Sequence, residues 1–385
     1  MTRPSGGDVA IIGGGIVGAA SAAFLAGEGL RVTLFERSAI AGAASGRNSG
    51  VVQHPFDSVL VGLYRASLDL YCRLATDALP AAPFRLGAEP AGLLLIGGSS
   101  ASAAVADEAG AWRAAYPDVR AEALVGEALQ RLEPSLAPDL AACRLGIGFP
   151  VAPASATRAY AALAEARGAR LRIGDEVRLA LEGDVAVGVD VGGLVQAFGS
   201  VVVAAGPWTP HVIDPTGRWR PIRAVWGVVA QVRVVDPPRH VLEEVDIEIE
   251  PDQSTSHAHD VWDGVGFSLI TADGSTALGS TFLENEPDPA SFVGALRHRG
   301  AKYVPALAAA PVVGLRSCAR PVALDGRPLV GAVPGVERLF VAAGHGPWGI
   351  STGPGTARLI ADLVLGRGGG IPRELDPARF PRAIG

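Results

Sequence analysis

Three glycines near the amino terminus, Gly13, Gly15 and Gly18, are spaced as G-x-G-x-x-G. The chemistry open to them is phosphate binding. The first glycine lets the chain turn sharply, the second lets backbone approach a pyrophosphate, and the third lets a helix pack closely on the strand before it. Free N–H groups at that helix's start supply the anion site. Glu36 lies about twenty residues further on, where a carboxylate accepts hydrogen bonds from ribose hydroxyls. The elements needed to position these residues occur in order. Val9–Ile12 is a short apolar run of buried-strand character, Ala19–Ala26 reads as helix stopped at Gly27 and Gly29, and Arg31–Glu36 is a second strand ending on the acid. A dinucleotide site is predicted.

At 385 residues the chain is long enough for two domains. Its 49% hydrophobic and 19% charged composition describes an ordinary soluble globular protein. A net charge of −6 leaves no basic stripe for nucleic acid or anionic lipid, so a small-molecule partner is expected. The first strand begins too soon after Met1 for a secretory signal, and the glycine spacing with Glu28 argues against a membrane span over the apolar residues 9–30. Cys72, Cys143 and Cys318 are scattered without metal-ligand spacing, which suits a reducing cytoplasm and implies no metal. Lys302 is the only lysine, so Schiff-base chemistry has almost nowhere to occur.

Further along, Ala43–His54 is a loop of small polar residues able to lie against a polar ring or merely to connect. A helix is predicted from Pro55 to about Ala78, a strand over Gly92–Gly97, and helices over Ala101–Tyr116 and Arg120–Leu132. Ser155 is a plausible N-cap for a helix running to Gly168. Strands follow at Arg170–Ile173 and Val177–Leu181, then a hairpin of Val185–Val191 and Leu194–Phe198 around Gly192-Gly193. Ser200–Thr209 begins as a buried strand and stops on small residues, as though backbone passes close to a ligand. From Ile222 to Phe282 the pattern becomes that of an antiparallel sheet, with strands at Ala224–Val235, Val245–Glu250, Gly266–Thr271 and Ala277–Phe282. There Arg223, Trp226 and His257 can face either way, since one residue of register flips each. Pro289–Lys302 is helical. From Gly314 α/β character returns, with a strand at Leu339–Ala343, a glycine-rich loop at Gly344–Pro354, and a helix over Gly355–Leu365 with Ser351 or Thr352 near its N-cap.

Four landmarks, Gly13–Gly18 with Glu36, Ser45–Gly50, Val201–Trp208 and Arg320–Gly355, together resemble the flavoprotein family of D-amino-acid oxidase, glycine oxidase, sarcosine oxidase and D-amino-acid dehydrogenase. The likeness spans nearly the whole chain. It implies FAD rather than NAD, and an α/β fold in which a discontinuous Rossmann-like FAD-binding domain is joined to an antiparallel-sheet α+β substrate domain. The implied division is 1–85, 145–215 and 312–385 for FAD, with 86–144 and 216–311 for substrate. It further implies that Gly13, Gly15, Ile16, Val17, Gly18, Glu36 and Arg37 hold the pyrophosphate and ribose end. Ala44, Ser45, Arg47, Asn48, Ser49 and Gly50 would run beside the flavin ring. Val177, Ala205, Gly206 and Trp208 would pass near the cofactor. Gly344, His345, Gly346, Gly349, Ile350, Ser351 and Thr352 would lie along the ring, where the helix N-terminus stabilises charge gathering near N1.

The family oxidises a C–N bond beside a carboxylate, and Arg320 matches the arginine that holds that carboxylate in several members. Arg320, His345 and His54 are thus the candidate catalytic residues; each histidine is a base, a carboxylate partner, or simply a hydrogen-bonded structural side chain. Cys318 stands in a register similar to the cysteine that tethers FAD in monomeric sarcosine oxidases, without the aromatic residue that follows it there. The oxygen-activating lysine of those enzymes has no counterpart, since the matching strand reads Ala277-Leu-Gly279, and Trp348 replaces a second carboxylate-binding lysine. The expected function is oxidation of an amino acid or secondary amine, with oxygen or another acceptor taking the electrons. The alternatives are a 2-hydroxy-acid oxidase or dehydrogenase, which Gly46–Val52 also resembles, and a non-catalytic flavin-binding subunit of a hetero-oligomer.

Overall fold

The computed structural model describes residues 8–245, 264–367 and 370–381. A six-stranded sheet has the order Leu329–Ala332, Leu339–Ala343, Ser200–Val203, Asp8–Ile12, Arg31–Glu36, Arg170–Ile173, parallel except for the first pair. Both faces are covered. Val9 and Ile11 enter one core while Ala10 and Ile12 enter another, which is why the strand is apolar without alternation. The Ile16–Gly27 helix packs between the Ser155–Ala166 and Gly349–Val364 helices on one face. The other face carries a three-stranded sheet of Val177–Glu182, Val185–Val191 and Leu194–Ala197.

The second sheet has eight strands in the order Val312–Ala323, Ile222–Val232, Ser275–Thr281, Val265–Ala272, Val241–Glu244, Leu93–Gly98, Leu140–Leu145, Ala121–Val125. All its pairs are antiparallel except Val241–Glu244 with Leu93–Gly98. Leu94, Val228, Leu242, Leu269 and Leu278 face a core closed by Leu296, Val304 and Leu307. Residues of opposite parity, including Val229, Glu243 and Ser268, look toward the six-stranded sheet across a cavity.

The Gly349–Val364 helix contains Pro354, which offers no N–H to the Ile350 carbonyl one turn back. Its neighbour, the Val61–Asp77 helix, makes good the loss. Tyr71 Oη donates to the Ile350 carbonyl at 2.6 Å, and Gly355 N–H donates to Ser67 Oγ at 2.9 Å. The first turn of a buried helix is thereby held by a partner of matching i, i+4 spacing.

Several expectations change. Arg120–Leu132 is not one helix: Gly126, at φ 54°, separates the strand Ala121–Val125 from a short helix Gly126–Leu132. The region from Gly314 is first a strand, Val312–Ala323, paired along its length with Ile222–Val232 in the eight-stranded sheet. Ser155 does not cap; its hydroxyl donates to the Ala152 carbonyl, and Ala154 is the N-cap. The last helix starts at Gly349 rather than Gly355, so Ser351 and Thr352 lie inside its first turn. Apart from Val245, which lies in a turn, the strand expected over Val245–Glu250 falls outside the described residues, as does His257; the strand there is Val241–Glu244.

Candidate active site

The two sheets enclose a cavity of about 2220 Å³. That exceeds the roughly 300–1,000 Å³ of an ordinary small-molecule pocket and suits a dinucleotide together with a substrate.

One end is built from backbone. Gly13, at φ 114°, follows the first strand so closely that a Cβ would stand 2.4 Å from the Ala204 carbonyl oxygen; a Cβ at Gly18 would stand 2.0 Å from that of Gly13. Only glycine fits either place. Gly15 is the N-cap of the Ile16–Gly27 helix. Ile16 N–H donates to Ser45 Oγ at 3.0 Å, and the following first-turn N–H groups have no acceptor within the helix. Glu36 accepts from Gly14 N–H at 2.7 Å and from Ser38 N–H at 2.9 Å, which fixes its carboxylate beside the glycine turn. The Arg37 guanidinium lies 4.1 Å from the centre of the Trp208 ring.

The middle is built from loops. Asn48 holds its own turn, donating to the Ser45 carbonyl at 2.8 Å and accepting from Gly50 N–H at 2.8 Å. The first turn of the Gly349–Val364 helix faces this loop. There Ser351 Oγ accepts from Gln53 N–H at 2.9 Å.

The far wall is the eight-stranded sheet. Arg320 lies flat over Gly227, where any Cβ would come within 2.5 Å of its guanidinium. It donates to the Thr281 carbonyl at 2.8 Å and to Ser280 Oγ, and stacks on Phe282 with 4.7 Å between guanidinium and ring centre. No carboxylate pairs with it among the described residues, and burial pulls its pKa down. A buried guanidinium with neutral partners attracts a carboxylate ligand. Glu243, on the same wall, accepts from Gln53 Nε2 at 3.1 Å, and burial pushes its carboxyl up to about 7 despite that bond. Cys318 is buried beside the Arg47 carbonyl, and burial raises its thiol above the ordinary value.

Most of the residues expected from the sequence line this cavity: Gly13, Gly15, Ile16, Val17, Glu36, Arg37, Ala44, Ser45, Arg47, Asn48, Ser49, Gly50, Val177, Ala205, Gly206, Trp208, Cys318, Arg320, His345, Gly346, Gly349, Ile350 and Ser351. Gly18, Gly344 and Thr352 do not; Thr352 spends its hydroxyl on the Trp348 carbonyl at 2.8 Å.

The histidines divide. His345 reaches the cavity wall but is 3% exposed, lies 2.9 Å from Thr356 Oγ1 through Nε2, and is pulled by burial to a pKa of about 4. It is a neutral, anchored imidazole. His54 lies outside the wall: its Nδ1 donates to the Pro55 carbonyl at 2.7 Å, and Tyr64, Trp112 and Tyr116 surround its ring. Its place as a catalytic candidate is corrected to one in an aromatic core. Gln53, Phe56, Glu243, Ser268, Ser280 and Phe282 also line the cavity without having been singled out. Gln53 and Phe56 flank the loop already marked by its polar residues, whereas nothing in the local pattern distinguishes Glu243 from Glu244.

This arrangement has known counterparts. A family model described as DAO, FAD dependent oxidoreductase, matches residues 8–363. Glycine oxidase from Geobacillus kaustophilus is 32% identical over 379 residues, covering 93% of this chain and 92% of that protein. D-amino acid dehydrogenase from Cereibacter sphaeroides is 30% identical over 237 residues, 59% of this chain and 51% of that protein. A crystal structure of glycine oxidase from Geobacillus kaustophilus superposes with a TM-score of 0.82 at 28% identity, covering 98% of this chain and 99% of that one. With a phosphate cradle, a helix mouth and a buried arginine around one cavity, and with that match along nearly its whole length, the chain belongs to the DAO family of FAD dependent oxidoreductases.

Proposed function

We propose that the protein oxidises the C–N bond of an amino acid or secondary amine, with the carboxylate held by Arg320. The observation that carries this reading is that Arg320, a buried guanidinium without an acidic partner among the described residues, shares one cavity with the glycine turn and the Gly349 helix mouth.

The residues present fit FAD. The glycine turn leaves no room for a Cβ at Gly13 or Gly18, Glu36 is fixed for a ribose, and the cavity is of dinucleotide size. When bound, FAD supplies the two-electron acceptor for hydride leaving the substrate's α-carbon. The chain's own residues do the rest. First-turn N–H groups at Val17 and beyond offer donors to the pyrophosphate. Those of Gly349 and Ile350, at the start of a helix on the cavity wall, would stabilise negative charge developing in a bound flavin. Arg320 orients the substrate through its carboxylate, and Phe56 with Trp348, 5.5 Å apart and edge to face, forms part of the cavity wall. Burial keeps His345 neutral with its Nε2 beside Thr356 Oγ1, so it presents no charge to the substrate.

In this reading the cofactor part comprises 1–85, 145–215 and the chain beyond Ala323, and the substrate part comprises 86–144 with 216–323. The cytoplasm is the proposed setting, since Cys72, Cys143 and Cys318 are all free. Among the described residues no helix is long and apolar enough to cross a membrane. Anaerobic bleaching of the flavin by D-amino acids, glycine and N-methyl amino acids is expected. Bleaching by 2-hydroxy acids alone would overturn the reading, and oxygen uptake against dye reduction separates oxidase from dehydrogenase.

A further inference from the structure

Two neighbouring glutamates on the Val241–Glu244 strand differ in their partners. Glu244 points to the helix side of the sheet, where Arg299 donates from Nε and Nη2, each at 2.8 Å, and Tyr303 Oη donates at 2.6 Å. Glu243 points into the cavity and accepts a hydrogen bond only from Gln53 Nε2; among the described residues no basic side chain pairs with it. Gln53 is itself 2% exposed and lines the cavity, and its Oε1 has no hydrogen-bond partner. Its backbone N–H is tied to Ser351 Oγ in the first turn of the helix at the cavity's mouth, so the Gln53–Glu243 pair is fixed in place. The result is a carboxylate and an amide oxygen, both acceptors, side by side and short of donors. A second carboxylate, Glu108, and the rings of Phe56 and Trp348 line the same cavity. Acceptors with aromatic faces are the chemistry that recognises an ammonium ion.

Sheet register sets the distance. Gly279 pairs with Ser268, and Ser268 pairs with Glu243. Arg320 donates to Ser280, next to Gly279, so the two charged groups are anchored two strands apart, roughly 10 Å at ordinary strand spacing. Once Glu243 reaches inward, a side chain of lysine length closes that gap.

We propose that Glu243 and Gln53 form a cation subsite that selects amino acids whose side chain ends in an ammonium group, while Arg320 holds the α-carboxylate. This rests on the reading of Arg320 and the flavin given above. It also has a consequence for pH: a cation arriving beside Glu243 favours its ionised form, so KM for such a substrate falls as pH rises through about 7.

The test compares lysine and ornithine with norleucine and norvaline, both enantiomers of each, on the holoenzyme and on Glu243→Gln. The subsite requires kcat/KM for the cationic member of a pair to exceed that of its uncharged analogue by at least about tenfold, and the ratio to fall to about one in E243Q. A ratio near one in the unaltered enzyme, or a ratio that survives E243Q, overturns it. A turnover-independent measurement separates this from failure of the amino-acid reading. The flavin absorption of the holoenzyme is titrated with 6-aminohexanoate and with hexanoate, which share a carboxylate but not the distal ammonium. If no amino acid bleaches the flavin, the oxidation reading fails; tighter binding of 6-aminohexanoate that vanishes in E243Q still upholds the subsite, and equal binding of the two ligands rejects it.

Discussion

At the glycine-turn end of the cavity, recognition is built from backbone: a turn without Cβ atoms and a helix start, all within a few residues of one another. At the opposite wall it is built from side chains on several strands, with Arg320, Ser280 and Glu243 drawn from segments far apart in the chain. The first is local and rigid, because a Cβ at Gly18 has no space to occupy. The second depends on register, and a slip of one residue in any strand would turn Arg320 or Glu243 to the other face. In the proposed reading the cofactor's phosphates are held by the local region, and substrate choice falls to the assembled one.

The sharpest way to break this contrast is at the local end. Gly18→Ala places a Cβ 2.0 Å from the Gly13 carbonyl oxygen, so the purified variant is expected to emerge colourless and to retain no FAD on gel filtration. Retained flavin at normal stoichiometry would show that the turn is more tolerant than its geometry indicates.

The next largest effect belongs to the assembled wall. Arg320→Met should leave flavin bound while lowering kcat/KM for carboxylate substrates by about 3 kcal/mol, roughly a hundredfold, as measured by steady-state kinetics. An amine lacking a carboxylate should lose much less.

Glu243 gives a pH test of the same wall. Its carboxyl is held near 7 in the folded chain against an ordinary 4.5, so the folded state keeps a proton that the unfolded state releases. Stability from this group is present below about pH 4.5, falls as pH rises toward 7, and is flat above it. Glu243→Gln removes that dependence, so its Tm relative to the parent should climb between pH 4.5 and 7 in the absence of substrate. A constant difference would show that Glu243 is not desolvated.

The smallest effect concerns the helix that joins the two ends. Tyr71→Phe leaves the Ile350 carbonyl without its donor, because Pro354 cannot supply one, at a cost of about 1–3 kcal/mol by denaturant unfolding. Pro354→Ala in the same background should recover part of that loss by restoring an N–H.

The local end was legible because its signal is contiguous: Val9–Ile12, the glycines and Glu36 are one continuous pattern, and the structure sets Gly13, Gly15 and Glu36 on the wall of one cavity. The Ser45–Gly50 loop and the Gly344–Ser351 stretch were marked through the family resemblance, since a loop of small polar residues by itself can equally be a connection. His54 was misplaced because a histidine in a polar loop gives no sign of three aromatic rings arriving from elsewhere. The strand at Val312–Ala323 went unseen because Arg316, Arg320 and Pro321 look unlike a strand until Ile222–Val232 pairs with it.

The sequence by itself determined the glycine turn with its flanking strands and the alternation of parallel and antiparallel regions, since these rest on residue type and short spacing; Arg320 was marked only through the family resemblance. Only the tertiary structure decided that Glu243 faces the cavity while Glu244 is neutralised behind the sheet, that His345 is a buried neutral ring, and that Pro354 is tolerated. Each of those depends on which distant segment packs against a residue, and strand register, burial and hydrogen-bond partners exist only once the chain has folded.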